Sequence, residues 1–179
     1  MSFGPSGATR TATATGIQIP VSTGTPCMRA KDVAFSLTDL GDVSIVGTRY
    51  AVNFALRQGD SNDDDSVDIL DFGLWYVDFG AAESTGRSNF NADLFVNTGD
   101  FAWLGLNFFR SGETCTGIAP PRAPQVRIAV KELRRRGLGE LSTADVNRDG
   151  WLDDRDVALV LSGVRPPGSA SVDSGAIGD

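Results

Sequence analysis

Two twelve-residue windows of the chain concentrate aspartate at a spacing that suits a hard cation. Residues 60–71, DSNDDDSVDILD, contain six aspartates and no positive charge, and residues 145–156, DVNRDGWLDDRD, contain five aspartates. The two windows hold eleven of the 23 acidic residues of the chain. Carboxylates about 4 Å apart repel one another by roughly 1 kcal/mol in water and by more at a protein surface. A divalent cation bound in each window would compensate this repulsion.

Both windows follow the ligand spacing of an EF-hand calcium loop, in which positions 1, 3, 5, 7, 9 and 12 supply oxygen atoms. The residue at position 7 contributes its backbone carbonyl, and the others contribute side chains. The predicted ligands are Asp60, Asn62, Asp64, Ser66, Asp68 and Asp71 in the first window and Asp145, Asn147, Asp149, Trp151, Asp153 and Asp156 in the second. We therefore predict two calcium sites.

Position 6 of such a loop needs a sharp turn. The second window has Gly150 there, as the motif prefers, and the first window has Asp65. Because a short polar side chain tolerates the left-handed backbone conformation, we expect the first loop to keep its site.

Apolar segments follow each window and must hold it in place. The segment DFGLWYVDF, which starts at Asp71, is repeated 29 residues later as DFAWLGLNF, which starts at Asp100. This pattern predicts two short helices whose aromatic faces pack against each other. The aromatic residues expected in the resulting core are Trp75, Phe79, Trp103 and Phe108.

A third, incomplete copy of the loop precedes the second of these helices. With Asp100 at position 12, Asn97 falls at position 9 and Val96 at position 8. If Asp93 is position 1, the four residues that correspond to positions 3 to 6 are missing. We therefore predict a shortened middle loop that binds no calcium.

The duplicated unit of a calcium loop and an exit helix, with Asp rather than Glu at position 12, resembles the dockerin domain of secreted bacterial proteins. Residues 59–109 resemble a dockerin pair whose second loop is shortened, and ADVNRDGWLDDRDVALVL resembles a further dockerin-like repeat. The strand-like YAVNFALRQG precedes the first loop, where an EF-hand has an entering helix. The resemblance implies a non-catalytic helix pair organised by calcium that binds a β-sandwich cohesin partner.

The complete chain is predicted to belong to the α+β class, with an N-terminal β-strand segment followed by dockerin-like calcium-loop and helix repeats. Residues 1–57 contain three or four strand patterns, in TRTATATGIQIPV, DVAFSLT and VSIVGTRYAVNFAL. These strands must pack on the helical part or pair with strands of another chain. The dockerin-like pair spans 58–112, a proline-rich linker spans 113–125, the C-terminal EF-hand-like repeat spans 126–163, and a tail spans 164–179.

The two cysteines, Cys27 and Cys115, lack the CxxC spacing of a metal or redox site. In a secreted protein they would pair as a disulfide, and the alternative is two buried free thiols. The dockerin resemblance implies a secreted protein. We therefore predict an extracellular or cell-surface location.

The overall composition argues against several classes of function. A net charge of −7 disfavours nucleic acid as a partner, and no apolar run is long enough to span a membrane. The chain contains no histidine, so histidine-based catalysis is excluded and we predict that the protein is not an enzyme.

Two functions therefore stand out. The first is a structural subunit of a surface or filamentous assembly, in which the protein partner is a further copy of this chain and the N-terminal strands add to the sheet of a neighbour. The second is an attachment module that binds a cohesin-like domain.

Overall fold

The computed structural model describes residues 26–32, 35–47, 49–82 and 86–166. Its helices and antiparallel strand pairs make the chain an α+β protein. In chain order the elements are β1 (Arg29–Ala30), β2 (Asp39–Leu40), β3 (Asp42–Val46), β4 (Arg49–Asn53), α1 (Ile69–Asp78), α2 (Thr98–Asn107), β5 (Arg127–Ala129), α3 (Val130–Arg135), a 3₁₀ helix (Gly139–Ala144), β6 (Trp151–Asp153) and α4 (Asp154–Leu161).

Three helices, α1, α2 and α4, begin with the same capping box. In each, the N-cap side chain accepts the backbone N–H two residues later, and an aspartate at the third helical position accepts the N–H of the N-cap residue. These two bonds satisfy amide groups that a helix N-terminus leaves without partners. The pairs are Asp68 with Asp71 in α1, Asn97 with Asp100 in α2, and Asp153 with Asp156 in α4.

Helices α1 and α2, with the loops that precede them, are related by equivalent contacts. Val67, just before α1, exchanges two backbone hydrogen bonds of 2.7 and 2.8 Å with residues 109–110, just after α2. Val96, just before α2, exchanges two bonds of 2.8 and 3.0 Å with residues 80–81, just after α1. The two sets are offset by 29 residues, so each loop is held by the end of the other helix.

Helix α1 is the central element of the hydrophobic core. Eight of its ten residues are buried, whereas three of the ten residues of α2 are buried. The ring of Trp75 in α1 lies 4.6 Å from that of Phe101 in α2, measured between centroids. A Cβ atom added to Gly73 would lie 3.1 Å from Leu152 and 3.4 Å from Leu141, so the C-terminal part of the chain packs closely on this helix.

The four aromatic residues predicted for the core all contact it, but to different extents. Trp75 and Phe79, from α1 and its C-terminus, are buried. Trp103 and Phe108, from the α2 side, are partly buried against the same cluster. The difference follows from the more peripheral position of α2.

The N-terminal part forms shorter strands than the sequence predicts. Strand β1 pairs with β2, and β3 pairs with β4, all antiparallel. The described residues of the predicted strand over 32–38, namely 32 and 35–38, belong to no strand; Phe35 has a φ of 84° and Ser36 makes an isolated bridge to Gln58. The positive φ of Phe35 interrupts an extended chain, which explains the error. The predicted strand pattern over 9–21 lies outside the described residues.

The segment between β1 and β2 packs on the helical part of the molecule. Leu37 is 1% exposed and belongs to the hydrophobic core. Its backbone N–H donates to the carbonyl of Arg57 at 2.8 Å, and the carbonyl of the following Thr38 accepts from Glu113 at 2.8 Å. The described part of the N-terminal segment therefore contacts the helical part through Leu37 and Thr38, and pairing of its strands with another chain stays a prediction.

Strand β5, helix α3, the 3₁₀ helix, β6 and α4 form the C-terminal unit. Strands β5 and β6 pair so that Ile128 lies opposite Leu152, and both side chains are buried. Helix α3 is followed by Gly137, whose φ of 79° lies in the left-handed region. The predicted tail is described only as far as residue 166.

The predicted disulfide between Cys27 and Cys115 is present, with a sequence separation of 88 residues. It joins the segment before β1 to the proline-rich residues 113–125. The last residue of that proline-rich segment is also fixed, because the N–H of Gln125 donates to Asp68 at 2.6 Å. None of the described helices is long and apolar enough to cross a membrane.

Candidate metal centres

The candidate site residues lie in three loops, which we number by chain order: loop 1 is 60–71, loop 2 is 89–100 and loop 3 is 145–156. In loops 1 and 3 the carboxylate at position 1 accepts the amide N–H groups of positions 5 and 6. The distances are 3.0 and 2.9 Å for Asp60, and 3.1 and 3.0 Å for Asp145. These bonds curl the first half of each loop around its own carboxylate.

Positions 3 and 5 continue the same pattern of side-chain and amide bonds. Asn62 and Asn147 accept the N–H of position 5 at 3.0 and 2.8 Å, respectively. Asp64 and Asp149 accept the N–H of position 7 at 3.1 and 3.0 Å. We call this set of bonds the amide frame; it is the same in loops 1 and 3.

Position 12 closes the frame by joining the start of the loop to the start of the helix. Asp71 accepts the N–H groups of Asn62 at 3.2 Å and of Asp68 at 2.7 Å. Asp156 accepts the N–H of Asn147 at 3.2 Å and of Asp153 at 3.0 Å. Burial raises the pKa of the Asp71 carboxyl well above its ordinary value, and burial also raises that of Asp156.

Position 6 has a left-handed backbone in both loops, as the sequence predicts. The φ angle is 66° at Asp65 and 87° at Gly150. At position 7, Ser66 bridges to Ser111, and Trp151 lies in β6 opposite Ala129. All twelve predicted ligands therefore lie in two loops of matching backbone geometry.

Loop 2 has its full length, and the predicted deletion of four residues is wrong. Asp93 occupies position 5, because its carboxylate accepts the N–H of position 7 at 2.8 Å and its own N–H donates to Asn91 at 2.9 Å. Asp100 accepts three amide N–H groups, of Phe90, Asn91 and Asn97. Position 1 is therefore Asn89, which the offset of 29 residues from Asp60 already indicates.

Loop 2 nevertheless differs from the other two in its donors and its turn. Position 6 is Leu94, which lies outside the left-handed region that Asp65 and Gly150 occupy. Positions 1, 3 and 9 are asparagines, so loop 2 contains two carboxylates, Asp93 and Asp100. The absence of calcium from this loop stays a prediction, now attributed to fewer charged donors rather than to a deletion.

Two basic side chains from distant segments contact the carboxylates of loop 1. The ammonium group of Lys31 lies 2.7 Å from both Asp60 and Asp63. The guanidinium of Arg122 lies 3.1 Å from Asp64 and 3.2 Å from Asp68. Sequence spacing around the loop gives no signal for these contacts, because Lys31 is 29 residues from Asp60 and Arg122 is 58 residues from Asp64.

The pKa values of loop 1 reflect both burial and these contacts. Burial raises the pKa of the Asp60 carboxyl, and Lys31 opposes that shift. Burial also raises the pKa of the Asp68 carboxyl, and the hydrogen bond from the backbone N–H of Gln125 opposes that shift. For Lys31 itself, burial lowers the pKa, but hydrogen bonds to Asp60 and Asp63 outweigh burial and raise it. Loop 1 is thus a partly buried site in which negative charge requires compensation.

Loop 3 has a different arrangement of charge. Arg155, at position 11 of the loop itself, contacts Asp149 at 3.3 Å, and its side chain is 71% exposed. Among the ion pairs of the described residues, this is the one that reaches a predicted ligand of loop 3. The ring of Trp151 lies beneath the guanidinium of Arg127, with 3.8 Å between the guanidinium carbon and the ring centroid.

The donor sets of loops 1 and 3 fit a hard divalent cation. Each offers four carboxylates, one asparagine amide oxygen and one backbone carbonyl, and calcium takes six to eight oxygen ligands. Across the described residues, no three acidic, histidine or cysteine side chains are gathered into a preformed metal cage. The carboxylates are instead directed to backbone amides and to the neighbouring basic groups.

A scan against protein-family models and searches of curated proteins and of solved structures found no match to this chain.

Proposed function

We propose that the chain is a non-catalytic, extracellular structural module that binds calcium at loops 1 and 3 and works as a subunit of a surface or filamentous assembly. The observation that carries the proposal is the position-1 carboxylate of each loop, which accepts the amides of positions 5 and 6 in the same way in both; loop 2 has Asn89 at that position. Two segments far apart in sequence adopt the same loop, and each has oxygen donors at positions 1, 3, 5, 7, 9 and 12. Together with the exit helices α1 and α4, this arrangement supports the dockerin-like interpretation.

The disulfide between Cys27 and Cys115 supports an oxidising compartment such as the extracellular space. In that compartment calcium modules typically bind with dissociation constants of about 0.1–1 mM. At millimolar calcium, each site would stabilise the fold by about 0.4–1.4 kcal/mol through ligand linkage. The role assigned to calcium is therefore rigidity of the loops.

Exposed apolar side chains support a function based on protein contact. Leu94 in loop 2 and Leu106 in α2 are 68% and 70% exposed. Their positions in the first repeat are Asp65 and Val77, which are less exposed. Apolar side chains on the peripheral repeat are suited to a protein partner, either a copy of this chain or a cohesin-like domain.

Thermal unfolding with and without a calcium chelator tests calcium binding. Removal of calcium should lower the melting temperature by about 2–4 °C for each kcal/mol of lost stabilisation. Asp60→Ala combined with Asp145→Ala should abolish this difference, whereas Asp42→Ala, an exposed aspartate in β3, should retain it. Superimposable unfolding curves for the unmodified chain would contradict the proposal.

Measurement of particle mass in millimolar calcium tests the assembly. A polymer or closed oligomer of this chain is the expected result. A monomer at all concentrations that binds a β-sandwich domain would instead support the attachment module, and magnesium in place of calcium serves as the ionic control.

A further inference from the structure

Loop 1 has internal cations at most of its ligand carboxylates. Lys31 contacts position 1, and Arg122 contacts positions 5 and 9. The carboxylate side chains of positions 1 and 9, Asp60 and Asp68, are 0% exposed. The fourth ligand carboxylate, Asp71, is occupied by backbone amides. The loop is therefore electrostatically compensated by the protein itself.

Both cations are held in place by neighbouring structure. Lys31 follows β1 and is four residues beyond Cys27 of the disulfide. The backbone carbonyl of Arg122 accepts the hydroxyl of Ser66 at 2.8 Å, so the arginine is fixed to position 7 of the same loop. Contacts anchored in this way are less screened by solvent than those between mobile surface side chains.

Loop 3 lacks an equivalent anchored arrangement in the described part of the chain. Its internal ion pair, between Arg155 and Asp149, involves position 5 and a side chain that is 71% exposed. Exposed pairs of this kind contribute little because water and salt screen them. Arg148 and Arg155 lie within loop 3, and Arg127 lies over the ring of Trp151. None of these guanidinium groups forms an ion pair with a buried ligand carboxylate of that loop in the described structure. Two loops with one amide frame therefore differ in the ion pairs that cations from distant segments make with their buried ligands.

We propose that Lys31 and Arg122 are internal counter-cations of loop 1, which keep that loop folded without calcium and make it bind calcium only at higher concentration than loop 3. The inference rests on the proposed calcium binding of loops 1 and 3. It adds that loop 3 fills with calcium before loop 1. A calcium ion entering loop 1 meets two positive groups that share its ligands, and the repulsion between like charges weakens its binding. An ion entering loop 3 meets no such anchored pair in the described structure.

The two loops contain matched reporters for a calcium titration by amide NMR of the full chain. The N–H groups of Asp65 and Gly150 both occupy position 6 and both donate to the carboxylate at position 1. We expect the shift of the Gly150 amide to reach its midpoint at a calcium concentration about tenfold lower than that of Asp65. Equal midpoints would overturn the inference.

Lys31→Met tests the cause of the difference. It should lower the calcium midpoint of the Asp65 amide by about tenfold and leave that of Gly150 unchanged. Lys131→Met is the matched control, since it removes the same charge from the only other lysine of the chain, an exposed residue of α3. An unchanged Asp65 midpoint in Lys31→Met, or an equal change in the control, would contradict the inference.

The design separates this inference from the calcium proposal itself. If neither amide responds up to about 10 mM calcium, well above the usual range of extracellular modules, calcium binding is refuted and the order falls with it. If both respond together and Lys31→Met changes neither, calcium binding stands and the order is refuted.

The folding of the variants is also informative. If Lys31→Met is unfolded in chelator and calcium restores its circular dichroism, the ion has replaced the ammonium group, which supports the inference. If the variant stays unfolded in calcium, Arg122→Gln replaces it in the titration, because Arg122 is half exposed. That variant should lower the Asp65 midpoint about threefold, and an unchanged midpoint would overturn the inference.

Discussion

Loops 1 and 3 have the same amide frame but differ in the helices that follow them and in the charged residues that contact them. Loop 1 lies before the central helix α1, and its carboxylates contact basic residues from both sides of the sequence. Loop 3 lies before α4, an eight-residue helix with one buried residue, and its ion pair is local. Both loops contribute a buried residue to the hydrophobic core, Val67 in loop 1 and Leu152 in loop 3. The comparison teaches that one loop motif can be compensated by charges from distant segments or by a local ion pair.

The difference has a structural basis in what surrounds each loop. The disulfide and the proline-rich segment bring residues 26–32 and 113–125 against loop 1. Loop 3 is contacted instead by β5, which pairs with β6 in the same C-terminal unit. Perturbations of distant segments should therefore affect loop 1 more than loop 3.

Removal of the disulfide is expected to have the largest effect. Cys27→Ala combined with Cys115→Ala should lower the free energy of unfolding by about 4–5 kcal/mol, because a crosslink over 88 residues restricts the unfolded chain. Urea denaturation measures the loss. The amide of Asp65 should shift in NMR spectra while that of Gly150 stays in place, and the reverse pattern would contradict the proposed difference between the loops.

Substitution of the position-12 carboxylate should cost more stability in loop 1 than in loop 3. Asp71→Ala should destabilise the fold by about 3 kcal/mol, since it leaves the N–H groups of Asn62 and Asp68 without their acceptor in a buried site. Asp156→Ala should cost about 2 kcal/mol, because α4 is less buried than α1. Chemical denaturation gives both values.

A third aspartate provides the control for that ranking. Asp154 lies in the first turn of α4 and is exposed, so Asp154→Ala should change stability by no more than about 0.5 kcal/mol. If all three variants lost similar stability, general loss of negative charge rather than closure of the loops would explain the effect.

Alanine substitutions of two helical glycines, one in α1 and one in α2, are expected to change stability by only small amounts, in opposite directions. Gly73→Ala in α1 should destabilise by about 1 kcal/mol, because the added methyl group would press on the buried Leu152 at 3.1 Å. Gly105→Ala in α2 should stabilise by about 0.5–1 kcal/mol, since nothing lies within 4 Å and alanine favours a helix. Thermal unfolding of the pair measures the difference, and equal effects would refute the central position of α1.

Local sequence was a good guide to the loops and to the helices that follow them. Three helices begin at a capping box formed by positions 9 and 12 of the preceding loop, a second role for residues that the spacing had marked only as calcium-loop positions. Asp65 was expected to tolerate a left-handed conformation, and its φ is 66°. These features depend on bonds within twelve residues, so the local sequence encodes them.

The errors arose where a choice of alignment or of neighbours was needed. Loop 2 was expected to be shortened because the acidic Asp93, rather than the neutral Asn89, was assigned to position 1. A side-chain amide oxygen can accept the backbone N–H groups of such a loop as a carboxylate does, as Asn91 shows. The strand over 32–38 was predicted from alternation, which does not reveal the positive φ at Phe35. The twelve proposed ligands are placed in two suitable loops, but calcium itself remains a prediction.

The sequence by itself determined the loop frames and helix starts, because each is built from hydrogen bonds between residues close together along the chain. The tertiary structure decided which helix became the core and which loop acquired internal cations. Lys31 and Arg122 reach loop 1 only because strand pairing, the disulfide and core packing bring distant segments together. Contacts over such separations depend on the whole fold, and no local pattern of residues encodes them.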